Sequence, residues 1–300
     1  MIRNFFSTIF FSPDERRLRA GWRLSIQTIL FLFLASIVTA PLVLSGMFSD
    51  SNAPSNLILQ KLIETLALFA SLWVARRFLD RRTFTSLGHR INALAWRDLF
   101  AGIGIAMVIQ AVMFGAFWAL GWLEWQGWAW ETASQATVWG TVFLYFVLFV
   151  IVGYEEELWM RGYWFQNLED GLNVFWAFVI SSSIFALLHL GNPGANLMST
   201  LGIFLAGFFL GYAYLRTRTL WLAVGLHIGW NFFLSPVFGF PVSGLETEGL
   251  MRIIMTGPEL WTGGDFGPEA GLMVIPILLL GTALVWRYSQ RRQPVTRENA

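Results

Sequence analysis

Tyr154-Glu155-Glu156-Glu157-Leu158-Trp159-Met160-Arg161-Gly162 follows directly on the apolar run from Val142 to Val152. A hydrocarbon interior has no water to solvate a carboxylate. Ionisable groups at membrane depth are therefore rare, tend to be paired, and mark function by default. If the helix continues through this stretch, Glu157 and Arg161 fall one turn apart, with the acid on the N-terminal side, the better orientation for the pair. Glu157 then reads as a partner that keeps Arg161 satisfied. Glu156 points about 100° away with no cation near it in sequence. A carboxylate in an apolar cavity suits a general base. Glu155 is read either as interfacial or as an alternative base one register away.

The rest of the chain supplies the membrane. Of 300 residues, 56% are hydrophobic and 13% charged, and the mean hydropathy is +0.57. A soluble domain carries about 25% charged residues, so the sequence describes a polytopic membrane protein. There is no cysteine, which excludes disulfides, thiolate catalysis and cysteine-ligated metal. The net charge of +1 gives no reason to expect a nucleic-acid partner.

Against the roughly 20 residues needed to span hydrocarbon, apolar segments run over Leu24–Leu44, Leu57–Val74, Leu99–Trp122, Val138–Tyr154, Val174–Leu190, Thr200–Leu215, Leu220–Phe238 and Ala270–Trp286. The expectation is an all-α, polytopic transmembrane helical bundle of about eight spans. The fourth helix is predicted to continue to about Leu168, and the active-site cavity to lie among the central four helices. Residues 1–23 read as an interfacial lead-in, 24–135 as three spans, and 136–238 as a core of four. Residues 239–300 read as a loop, a final span and a basic tail. The loop Pro241–Gly267, which includes the segment Glu246–Met255, is predicted to hold a short surface helix.

Arginine placement alternates along the connections. It is dense in the lead-in, at Arg76 to Arg97, at Arg216 and Arg218, and at Arg287 to Arg297, and almost absent between. By the positive-inside rule both termini are cytoplasmic. His89 falls in a basic loop and reads as a solvated histidine.

Two further polar sites lie on apolar segments. Phe185-Ala186-Leu187-Leu188-His189 ends the fifth, with Phe185 one turn before His189. Taken alone, a histidine at a helix C-terminus is explained by the macrodipole. His227 and Asn231 share one face of the seventh. They would either bond across helices, bind a metal, or donate hydrogen bonds to a developing oxyanion.

Glu156-Glu157-x-x-x-Arg161, Phe185-x-x-x-His189 and His227-x-x-x-Asn231, in this order on successive hydrophobic segments, resemble the three motifs of the CPBP family. These are the CAAX-protease and bacteriocin-processing (Abi) membrane proteins. The resemblance covers about Val138 to Ser235. It implies an all-helical intramembrane endopeptidase acting on a peptide or protein substrate in the bilayer, with a bacterial plasma membrane as the expected location. By motif position Glu156 would activate water with help from His189. His227 and Asn231 would stabilise the oxyanion, and Glu157, Arg161 and Phe185 would support. An older reading of the family makes these residues ligands of a divalent metal. Glu156, His189 and His227 could then hold Zn²⁺ with one open position, although asparagine is a poor zinc ligand and Glu156 cannot serve as both ligand and free base. The cofactor expectation is thus none, or one divalent metal.

Two other readings compete: a non-catalytic scaffold or immunity protein that keeps the fold, and a transporter with an ionisable midplane site. Counting rise per residue from each segment's cytoplasmic end places His189 deeper than Glu156, and Glu156 deeper than His227. Convergence therefore requires tilted or displaced helices, or a fifth helix beginning nearer Leu168.

Overall fold

The computed structural model describes residues 9–12, 17–47 and 53–292. The expectations for residues 1–8 and 13–16 of the lead-in, for 48–52, and for the tail from 293 onward lie outside the described residues.

The chain is an integral, multi-pass helical membrane protein. Its helices are α1 (Ala20–Leu44), α2 (Pro54–Val74), α3 (Ala93–Ala119), α4 (Gln135–Glu157), α5 (Val174–Leu188), α6 (Leu197–Thr217), α7 (Trp221–Phe232) and α8 (Val274–Gln290). Among the described residues, six helical stretches are long and apolar enough to cross a bilayer: Ala20–Leu44, Pro54–Asp80, Ala93–Ala119, Gln135–Gly171, Val174–Gly191 and Leu197–Thr217. The other two expected spans are shorter helices. α7 has 12 residues and runs on into a π-helical turn, Phe233–Val237, that contains Pro236. α8 has 17 residues. Proline removes a backbone donor and crowds the preceding turn, which suits it to such an irregular helix end.

α4 starts at the cap Ser134, whose hydroxyl accepts from the Thr137 amide at 3.1 Å. It continues through a π-helical segment, Leu158–Phe165, to Gly171, so the charged motif lies inside one long helix. α7 packs on both α3 and α4. The contact with α4 is close at Gly153, where an added Cβ would meet the Ile228 side chain at 2.8 Å. Small residues at such crossings let backbones approach without the side-chain contacts that water would otherwise drive.

Outside the bundle, the loop Pro241–Gly267 does hold a short helix, Glu259–Thr262, while its segment Glu246–Met255 holds none. Met251–Met255 is a strand, β2, paired antiparallel with β1, Leu123–Trp128. Met-Arg-Ile-Ile-Met and Leu-Glu-Trp-Gln-Gly-Trp are rich in the branched and aromatic residues that favour a pleated surface. Their pairing is long-range, so neither segment announces it alone. Beside this strand pair, Trp128 and Trp130 stack at 4.6 Å and Trp139 follows at 6.2 Å from Trp130.

At the Arg-rich end, Asp80 accepts from Arg23 at 2.6 Å and from Arg76 at 3.0 Å, tying α1 to α2. Arg76 also reaches Gln166 beyond α4, at 3.3 Å. Asp98 on α3 is held by Tyr288 at 2.7 Å and by Arg292 at 2.8 Å, which fixes the end of α8. His89 departs from the solvated reading. It is half-buried and edge-on to Phe84 at 4.9 Å, and burial, then the nearby Arg76 charge, pull its pKa below 6.5.

Candidate active site

Within the bundle, Glu156 and the histidines line one cavity of about 460 Å³. Asn231 lines it too, so the four side chains named from sequence share one cavity. The fifth helix begins at Val174 rather than near Leu168, so the arrangement of the helices, not an earlier start, brings His189 to the others. Most of the wall is apolar, including Phe149, Val152, Ile203, Phe209 and Leu226.

The three consecutive glutamates diverge because neighbours on a helix point about 100° apart. Glu155 turns to α2, where Thr65 donates to it at 3.0 Å. Glu157 is fully buried and accepts from Arg161 Nη1 at 2.9 Å. Its same oxygen accepts from His227 Nδ1, also at 2.9 Å. Glu156 faces His227 Nε2 at 3.8 Å, and its Oε2 makes no hydrogen bond. Of the three acids, Glu156 alone faces a histidine across the cavity without a donor holding that oxygen.

Arg161 is 1% exposed. Its second donor, Nη2, goes to the Gly207 carbonyl of α6 at 2.9 Å. An added Cβ on Gly207 would meet Ser182 of α5 at 2.9 Å, so α5 and α6 meet closely where the guanidinium needs its acceptor. The guanidinium also lies over the Phe185 ring at 4.7 Å. That ring touches His189 at 4.8 Å and stands edge-on to His227 at 6.1 Å. Phe185 thus carries one apolar surface shared by Arg161 and both imidazoles.

The partners fix the tautomers. A carbonyl only accepts, so His189 Nδ1 donates to the Phe185 oxygen at 2.7 Å. The neutral ring then has an accepting Nε2. Glu157 holds His227 in the same way, since a carboxylate already bound to Arg161 is an acceptor.

Among the described residues, no group of three or more His, Asp or Glu side chains is placed to hold a metal ion.

Sequence reasoning passed over two groups that also line the cavity. Lys61 and Glu64 of α2 form an ion pair at 2.6 Å. The signal was present: Lys61 is the only lysine of the 300-residue chain, and these two are the only charged residues between Pro54 and Ala75. Glu269, from the turn before α8, accepts from Trp230 Nε1 at 2.8 Å and from the Ser243 backbone and hydroxyl. The Ser243 carbonyl in turn accepts from Asn192, just beyond His189, at 2.9 Å. Burial pushes the Glu269 pKa up, against the pull of those donors. A glutamate in a Gly- and Pro-rich loop reads as solvated, so no local signal marked it.

The multi-pass bundle thus gathers carboxylate, imidazole and carboxamide groups around one largely apolar cavity. Residues 137–233 match the family described as type II CAAX prenyl endopeptidase Rce1-like. The matched stretch carries all three motifs, and the chain is similar to that family over it. No curated protein and no solved structure matches it.

Proposed function

We propose that the protein is an intramembrane endopeptidase that hydrolyses a peptide bond at the membrane, with Glu156 as the general base. The observation that carries this reading is the placement of Glu156. It lies 3.8 Å from His227 Nε2, in the cavity that His189 and Asn231 also line, while its neighbouring acids are engaged elsewhere.

Glu156 takes a proton from water, and the resulting hydroxide attacks the peptide carbonyl. The negative charge moves to the carbonyl oxygen, where the Asn231 amide and His227 donate hydrogen bonds. For His227 to donate there, Nε2 must carry a proton while Nδ1–H stays on Glu157. Glu156, close to Nε2, can exchange that proton. The C–N bond then breaks, and the amine leaves with the proton that Glu156 took, passed directly or through the accepting Nε2 of His189. One water is consumed; its hydroxyl stays on the acyl product and its hydrogen on the amine. Preorganised donors at an oxyanion are worth about 10²–10³ in kcat each, and a positioned base about 10²–10⁴.

The substrate is a peptide or protein segment presented from the membrane. The family name points to a prenylated C-terminal segment, and the largely apolar cavity wall is compatible with one. The arginine alternation supports an orientation with both termini on the cytoplasmic side.

The test is cleavage of a prenylated peptide and of its unprenylated counterpart by protein reconstituted in liposomes. Wild type should release the C-terminal fragment, and Glu156→Ala and His189→Ala should not. Unchanged turnover in both variants would sink the reading. A non-catalytic scaffold would instead show no cleavage by any form, with the same substitutions lowering the thermal unfolding midpoint.

A further inference from the structure

Hydrolysis consumes one water per turnover, and a bilayer supplies none. The cavity must therefore be wetted from one side, and its polar lining is distributed unevenly. Towards α8 the lining groups are closed on one another: both Glu269 oxygens are taken by Trp230 and Ser243, and Ser243 holds Asn192. Towards α2 the lining groups are charged and half-open. Lys61 and Glu64 keep 32% and 34% of their side-chain surface accessible, and both line the cavity.

Lys61, Glu64 and Thr65 are spaced i, i+3, i+4 and share one face of α2. Thr65 donates to Glu155 at 3.0 Å, and Glu155 adjoins Glu156. Turned about 100° from Lys61 and Thr65 respectively, and at the same depth, are Leu62 and Leu66, 42% and 68% exposed. Lys61 lies seven residues inside Pro54, about 10 Å at 1.5 Å per residue. An ion pair left open to acyl chains at that depth would be costly. Its open surface belongs instead to a wet space.

We propose that the face Lys61–Glu64–Thr65, with Glu155, is the inlet through which water reaches Glu156 from the Pro54 end of α2. The proposal rests on the hydrolytic reading for its purpose, but its geometry is testable without activity. Water is the ligand. The ammonium, carboxylates and hydroxyl supply donors and acceptors in sequence from the half-open pair to the buried Glu155, 4% exposed.

The chain has no cysteine, so single cysteines report cleanly. Cysteine is placed at 61, 64, 65, 62 and 66 in turn, in the wild-type and the Glu156→Gln backgrounds, with Ser55→Cys marking the Pro54 side. Sealed vesicles are treated with a charged, membrane-impermeant methanethiosulfonate, which reacts only with thiolate formed in water. Cysteines at 64 and 65 should label about tenfold faster than those at 62 and 66, because a thiol in apolar surroundings stays protonated and inert. They should do so from the side that labels Ser55→Cys, and equally in both backgrounds. Equal labelling of 62, 64, 65 and 66 would mean that this depth is simply the membrane surface, and would overturn the inlet. So would absent labelling at 64 and 65, or labelling only from the opposite side. Fast labelling at 64 and 65 without any peptide cleavage would uphold the inlet and fail the protease reading. Cleavage with no such labelling would do the reverse.

Discussion

At the residue scale, three adjacent glutamates carry three different jobs because a helix turns each by about 100°. Glu157 neutralises Arg161 and orients His227 through one oxygen. Glu157→Gln should therefore cost stability as well as turnover. Leaving a buried charge without its partner costs about 3–5 kcal/mol, read as a lower unfolding midpoint in detergent. Phe185→Leu removes the ring beneath Arg161 and beside both imidazoles. The cation–π contact is worth about 2 kcal/mol when desolvated, so this variant should lose turnover and a few degrees of midpoint together. Glu156, Glu157 and Arg161 stood out in sequence because three acids and an arginine within seven residues are more than one packing ion pair needs in so apolar a chain. Lys61 and Glu64 also interrupt an apolar run, but a two-residue ion pair near a helix end blends with an interfacial one. Glu269 was silent because its partners, Trp230 and Ser243, are distant in sequence and meet it only in the fold.

At the scale of elements, hydropathy made the long helices readable, since among the described residues six stretches are long and apolar enough to cross a bilayer. The π-helical segments were not readable. Residues 158–165 have no composition that sets them apart from an α-helix, yet such turns recur at functional sites. The β1–β2 ribbon was missed for a different reason: its strands lie more than a hundred residues apart, and each alone is too short to betray its pairing. The loop after α2 yields a pH prediction. His89 has a folded pKa below its ordinary 6.5, so the unfolded chain binds the proton more readily. Its contribution to stability is intact above pH 6.5 and is lost as pH falls through 6.5 towards the lower folded value. Detergent-solubilised protein should unfold at a lower temperature at pH 5.5 than at pH 7.5, and His89→Phe should reduce that difference.

At the scale of the whole molecule, polar anchors at the Arg-rich end hold the bundle while the cavity stays largely apolar. Asp80 is 2% exposed and satisfies Arg23 and Arg76 at once. Asp80→Ala strands two buried cations and should cost at least the 3–5 kcal/mol of one broken buried pair, seen as loss of folded protein on size exclusion in detergent. The Arg76 half of this pairing is a sequence-local i,i+4 pair, but the Arg23 half joins separate helices and is not forecast along the chain. The central claim concerns a single carboxylate, and the most direct measurement compares Glu156→Gln with Glu155→Gln in liposomes, scoring peptide cleavage beside thermal unfolding. Glu156→Gln should lower turnover by about 10²–10⁴ with an unchanged unfolding midpoint, while Glu155→Gln keeps most of the turnover. Equal turnover in the two variants, or loss in Glu155→Gln with full activity in Glu156→Gln, would contradict the assignment.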